Sequence, residues 1–126
     1  MKPVLLAITV LTDGHRAQIA QSFELLYAPE PAQAFEAIAR HGARVQAVLT
    51  IGSIGLSAAQ MDALPQLQLV CALGAGYENI ALAHARGRGI ALANGAGTND
   101  DCVADHAFGL LLATVRGIVQ LDARTR

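Results

Sequence analysis

The sequence predicts an α/β domain built on a parallel sheet. Two observations carry that expectation. Short apolar runs rich in β-formers alternate with stretches of helical spacing, the pattern of βαβ units. The runs are also apolar on both faces: VLLAITVL at Val4 to Leu11 has no polar alternation, as in strands covered by helices on each side.

The elements follow in order along the chain. The first strand spans Val4 to Leu11, and Thr12-Asp13-Gly14 ends it. Asp13 is placed to cap a helix through Phe23. Glu24 to Tyr27 is a second, weaker strand, followed by a loop at Pro29 and Pro31. Ala32 to His41 reads as a helix with Ala34, Phe35, Ile38 and Ala39 at helical spacing, stopped by Gly42. Val45 to Ile51 is the third strand. Ser57 to Leu64 is a short helix with Ser57 as N-cap, stopped by Pro65. Leu67 to Leu73 is the fourth strand, Ala81 to Arg88 a helix closed by Gly89, and Ile90 to Ala93 the fifth strand. From Asp101 the chain reads as one long helix to Arg126. Together these elements predict a flavodoxin-like, doubly wound, five-stranded parallel sheet.

Composition narrows the function. The 126 residues fit one domain. The hydrophobic fraction of 53% exceeds the usual value of about 45–50%. No apolar run approaches the roughly 20 residues of a bilayer span, and the start, Met1-Lys2-Pro3, lacks the features of a cleavable signal. The reading is a cytoplasmic protein, not a membrane one, with a large partner surface. A net charge of −1 and a single lysine, Lys2, give no reason to expect nucleic acid. Cys71 and Cys102 make neither a disulfide framework nor a metal site. Cys71 reads as core filler, and Cys102 as an inert thiol near a helix start.

Ligands of open α/β sheets bind beyond the carboxyl ends of the strands. Two loops stand out there: Gly52-Ser53-Ile54-Gly55 after the third strand and Gly74-Ala75-Gly76 after the fourth. The second begins like a dinucleotide loop, but Asn79 stands where the third glycine belongs. Ala93-Asn94-Gly95 also supplies no carboxylate for a ribose. The cofactor-loop reading is therefore rejected. A paired-glycine turn can instead aim successive amides at an anion, and a small carboxylate suits such a nest. The other reading of the residues is a tight turn with no ligand. A phosphoacceptor domain of the same fold would need a carboxylate at the end of the third strand, where Leu49-Thr50-Ile51 stands.

Gly74-Ala75-Gly76-Tyr77-Glu78-Asn79-Ile80, Arg88-Gly89-Ile90, Asn94, and Asp101-Cys102-Val103-Ala104-Asp105-His106-Ala107 running into Gly109-Leu110-Leu111-Leu112-Ala113 form an ordered series. With the Thr50 to Gly55 loop and Met61 to Pro65, this series resembles the NAD(P)-dependent D-2-hydroxyacid dehydrogenases. The likeness covers nearly the whole chain and is strongest after residue 45.

That resemblance implies the substrate-binding domain of a two-domain enzyme: residues 1–100 as the domain, 101–126 as a long linking helix, and the Rossmann cofactor domain absent. It implies that Ala75 and Gly76 give backbone N–H groups to a substrate carboxylate, with Gly52 and Ser53 bordering the pocket. Ala75 and Val103 would lie toward the nicotinamide of NAD or NADP in the intact enzyme. No tight cofactor binding is expected of this chain. The family's catalytic Arg, Glu and His would lie on later polypeptide, so His15, His41, His84 and His106 inherit no catalytic role. The family's Asn-Thr-Pro is replaced by Asn94-Gly95-Ala96, which implies a more mobile entry to the long helix. The implied function is 2-oxo acid binding without activity alone; a stand-alone anion-binding or interaction module is the alternative.

A helix from Asp101 to Arg126 would run about 39 Å. Its apolar residues wrap most of the way round, the pattern of burial on several sides. Self-association through residues 101–126, or fraying of the last turns, is the expected behaviour of the chain on its own.

Overall fold

The computed structural model describes residues 1–126. They form two compact units, Met1–Gly95 and Ala96–Arg126. In chain order the first unit contains β1 (Val4–Ala7), α1 (Asp13–Ser22), β2 (Glu24–Tyr27), α2 (Pro31–His41), a 3-10 turn (Gly42–Arg44), β3 (Val45–Ile51), α3 (Ala58–Asp62), β4 (Leu69–Leu73), α4 (Leu82–Gly87) and β5 (Ala91–Asn94). The sheet order is β2-β1-β3-β4-β5 and every pairing is parallel. The expected five-stranded, flavodoxin-like sheet is thus present.

Alternation along the strands sends side chains to two cores. Leu6, Val48 and Val70 face one side, with Ala34 and Ile38 of α2, Met61 of α3 and Ala85 of α4. Leu5, Ala7, Ala47 and Leu49 face the other, against Ile19 of α1 and Phe23. Within the first unit only α1 supplies helical cover on that second side. Leu69 and Cys71 are accordingly half-buried, and Ala91 and Ala93 are exposed. Burial pushes the Cys71 thiol above its ordinary pKa, which fits a packing role. Cys102 is exposed.

Several local expectations need correction. β1 ends at Ala7, not Leu11. Its partner β2 ends at Tyr27; Ala28 N still donates to Ala7 O, but Pro29 has no N–H with which to extend the ladder. The cap of α1 is Thr12, whose Oγ1 accepts from His15 N at 3.2 Å. Asp13 instead pairs with Arg16 within the first turn. In α2, Ala34 and Ile38 are buried but Phe35 is 78% exposed. One helical residue turns the side chain about 100°, which takes Phe35 off the stripe.

Ser57 caps α3 as expected. Its Oγ accepts from Gln60 N at 3.2 Å, and Gln60 Oε1 accepts from Ser57 N at 2.8 Å. Arg88 closes the far end of this helix. Its Nη2 donates to Leu64 O at 3.0 Å, and its Nη1 donates to Met61 O. His84 Nε2 lies 2.7 Å from Asp62 Oδ1. The carbonyls of Met61 and Leu64 also accept a backbone N–H, from Leu64 and Leu67 respectively, so Arg88 adds a second donor to each. Together with the His84–Asp62 contact these bonds clasp α3 to α4. Arg88→Ala is expected to lower unfolding free energy by about 2 kcal/mol, measured by urea denaturation.

The second unit holds α5 (Asp100–Val115) and α6 (Ile118–Thr125). The single helix expected from Asp101 to the end is therefore broken. Gly117 sits at φ +60, and the two helices are bent by 61°. Arg116 N donates to Leu112 O and Gly117 N to Thr114 O, a tightened last turn that a left-handed glycine terminates. Val103, Phe108, Leu110, Leu111, Leu112, Val115, Ile118, Val119 and Leu121 are each at least half exposed. No single helix is long and apolar enough to cross a membrane.

Candidate functional site

Strands β3 and β4 pair in register up to Ile51 and Leu73. The loops that follow therefore leave adjacent strands at the same level. In the first, Ile54 N and Gly55 N both donate to Ile51 O, at 3.1 and 2.8 Å. The buried Thr50 Oγ1 donates to Gly55 O at 2.9 Å. These bonds fold Gly52 to Gly55 into a tight turn.

The two loops are then sewn together. Asn79 N donates to Gly52 O at 3.3 Å, and Asn79 Nδ2 donates to Ser53 O at 2.8 Å. Leu56 N donates to Asn79 O at 3.2 Å and Ala81 N to Leu56 O at 3.0 Å, around a parallel bridge between Leu56 and Ile80. The approach is close enough to exclude side chains. A Cβ on Gly52 would stand 2.5 Å from Gly76 C, and one on Gly55 would stand 2.0 Å from Asn79 O. Gly55 also has φ +73, where other residues are strained.

The turn after β4 is held from its other flank. Gly95 N donates to Gly74 O at 2.7 Å, and Asn94 Nδ2 donates to Ala75 O at 2.8 Å. The carbonyls of Gly74 and Ala75 are thus occupied. The amides of Ala75 and Gly76 donate to no group of the chain. Two successive free amides on a rigid turn can accept an anion.

The structure brings Gly52, Ser53, Ala75 and Gly76 together. Val103 lies on α5 in the second unit, 58% exposed. Three neighbours matter that their residue types alone did not single out. Asn79 and Asn94, read in the sequence as departures from a dinucleotide fingerprint and as members of the family-like series but given no role at the site, supply the side-chain amides that brace the turns. Glu78 places Oε2 2.5 Å from where a Cβ on Gly52 would stand and 2.6 Å from one on Gly76, so its carboxylate borders the same crevice. Among the histidines, His84 faces Asp62, and His15 and His106 are exposed. No group of three or more His, Cys, Asp or Glu is arranged to hold a metal ion.

The same turn does not fit a dinucleotide. A pyrophosphate site needs the glycine turn to open directly into a helix whose N-terminus faces the phosphates. Here α4 begins only at Leu82, and the side chain of Asn79 is committed to Ser53 O. Strand β5 ends on Asn94, whose amide is committed to Ala75 O.

Residues 7–124 match the model of the D-isomer specific 2-hydroxyacid dehydrogenase catalytic domain. The chain is 34% identical over 125 residues to a 2-ketogluconate reductase from Gluconobacter oxydans, covering 99% of this chain and 39% of that protein. It is 30% identical over 127 residues to a glyoxylate reductase from Thermococcus kodakarensis, covering 100% of this chain and 38% of that one. Among solved structures, a 2-hydroxyacid dehydrogenase from Ketogulonicigenium vulgare superposes with a TM-score of 0.88 at 30% identity, over 99% of this chain and 40% of that one. An NADPH-dependent glyoxylate/hydroxypyruvate reductase from Sinorhizobium meliloti, solved with NADP and malonate, gives 0.79 at 26% identity over 99% and 39%. The chain therefore spans about two-fifths of the length of these relatives. A match across nearly every residue, in sequence and in fold, makes this chain a member of the D-isomer specific 2-hydroxyacid dehydrogenase family.

Proposed function

We propose that this chain is the substrate-holding part of an NAD(P)-dependent D-2-hydroxyacid dehydrogenase, receiving the carboxylate of a small 2-oxo or 2-hydroxy acid. Ala75 and Gly76 give their amides to the carboxylate, and Gly52 and Ser53 form the facing wall. Ala75 and Val103 lie toward the nicotinamide in the longer protein. The observation that carries the reading is the pair of unclaimed amides on a turn whose carbonyls are fixed by Gly95 and Asn94. Glyoxylate and 2-ketogluconate, which two relatives are named for reducing, share a carboxylate next to a 2-oxo carbon, the fragment such a turn would hold.

The nicotinamide supplies hydride at C2 when bound. This chain's residues do not cradle the dinucleotide, and its crevice offers no histidine or arginine for proton transfer or carbonyl polarisation. The chain therefore binds and orients, and by itself does not oxidise NADH or NADPH. Its two free thiols suit the reducing cytoplasm, where we place it.

Titration of the labelled chain with glyoxylate tests the reading. At about 10 mM, suited to millimolar affinity, glyoxylate should shift the amide signals of Ala75 and Gly76, and neutral glycolaldehyde should not. No shift, or equal shifts with the neutral analogue, rejects the carboxylate cradle.

The exposed apolar residues of α5 and α6 carry the second part of the proposal. Residues 101–126 are covered by the rest of a longer polypeptide, or by a second copy when the chain stands alone. Sedimentation should then show a concentration-dependent dimer that Phe108→Glu and Leu112→Glu together disperse. A parent chain that stays monomeric at millimolar concentration contradicts this.

A further inference from the structure

We propose that the groove between Tyr77, α4 and β5 is a second binding site, for a small monocarboxylate with an apolar or aromatic body. The groove has a volume of about 370 Å³ and is lined by Tyr77, Leu82, Arg86, Ile90, Leu92 and Asn94. That size lies near the lower end of small-molecule sites. It suits a ring-bearing acid and is too small for a dinucleotide.

Arg86 selects the charge. The first unit has five arginines: Arg16, Arg40, Arg44, Arg86 and Arg88. Arg16 pairs with Asp13, Arg40 with Glu36 and Arg44 with Glu24, while Arg88 donates to Leu64 O. The guanidinium of Arg86 has no hydrogen bond and no ion pair, and no carboxylate lines its groove. A guanidinium presents a planar fork of donors that matches a carboxylate. With one cation and no second, the groove matches one negative charge.

The remaining lining sets the body of the ligand. Leu82, Leu92 and the buried Ile90 form an apolar floor, and the ring of Tyr77 closes one side. Asn94 is the one polar neutral side chain with a fixed orientation. Its Nδ2 is held by Ala75 O, which leaves Oδ1 to accept from a hydroxyl on the ligand. A ligand there touches two residues, Tyr77 and Asn94, that flank the turn carrying Ala75 and Gly76. The site is separate from that turn and stands whether or not the turn holds a substrate.

Phenylacetate is the probe, because it has the ring and the carboxylate but no 2-oxo group. Titrated into the full chain to about 10 mM, it should shift the amides of Leu82, Ile90 and Leu92. Arg86→Ala, at an exposed position, should weaken that response about tenfold and leave any glyoxylate shifts at Ala75 and Gly76 unchanged. Benzyl alcohol should produce less than a tenth of the phenylacetate response at equal concentration. The proposal is overturned by no response, by a response unaltered in Arg86→Ala, or by one confined to Ala75 and Gly76.

Discussion

Gly55→Ala is expected to lower the unfolding free energy by roughly 4 kcal/mol, the largest loss of any single methyl addition to the chain. Two independent penalties meet at this position. The backbone at φ +73 disfavours any residue with a Cβ. The added carbon would also stand 2.0 Å from Asn79 O and 2.3 Å from Asn79 C. Both are backbone atoms that cannot rotate away. Relief requires the second loop to move, and that movement breaks the Leu56–Ile80 bridge and the bonds around it. Leu56 and Ile80 are buried at 0% and 5% exposure, so the displacement reaches the core. Urea denaturation with far-ultraviolet circular dichroism measures the effect. A variant within about 1 kcal/mol of the parent would contradict the described packing of the two loops.

Gly52→Ala is the second large effect, and its main consequence is for binding. The new carbon would stand 2.5 Å from Gly76 C and 2.7 Å from Gly76 O, so the turn carrying Ala75 and Gly76 must give way. Gly52 keeps an ordinary φ, so the damage is steric alone. A stability loss of about 1–3 kcal/mol is expected. The glyoxylate response of Ala75 and Gly76 should weaken at least about tenfold, because two amides must converge on one point to hold a carboxylate. Gly87→Ala provides the control. Nothing lies within 4 Å of its added carbon and its φ is not positive. It should bind glyoxylate normally and unfold at the same or a slightly higher urea concentration. Weakened binding in both variants would trace the loss to something other than the loop contact.

Much of this architecture could be read from residue order. Short runs of β-formers located β2 and β3 to the residue, because Pro29 closes the first and Gly42 and Gly52 flank the second. Ser57 was readable as a cap because a serine stands directly ahead of a short helical run that Pro65 stops. What failed was competition between near-equivalent signals. Thr12 and Asp13 are both good caps, and only the backbone shows which one faces His15 N. Phe35 has the hydrophobicity of a core residue but lies one position off the buried stripe. The broken helix was hidden for a related reason. Glycine is tolerated inside helices, as Gly109 is inside α5, so Gly117 did not announce itself as a terminator.

The crevice was legible in part. Paired glycines at the ends of neighbouring strands pointed to two loops, and the described chain places them in contact. The bracing by Asn79 and Asn94 was not legible. An asparagine side chain declares its partner only through bonds between residues that are distant in sequence, here 26 and 19 positions apart. The position of Glu78 depends likewise on a backbone path that residue type does not encode.

The outermost strands of the sheet, β2 and β5, have four residues each. Margins that brief give an incoming chain few main-chain groups to copy, which removes the usual template for fibril growth. Stickiness in this molecule is concentrated in the greasy side chains of its last two helices. Its failures at high concentration should accordingly be amorphous and reversible by mild detergent, and poor in added β-structure.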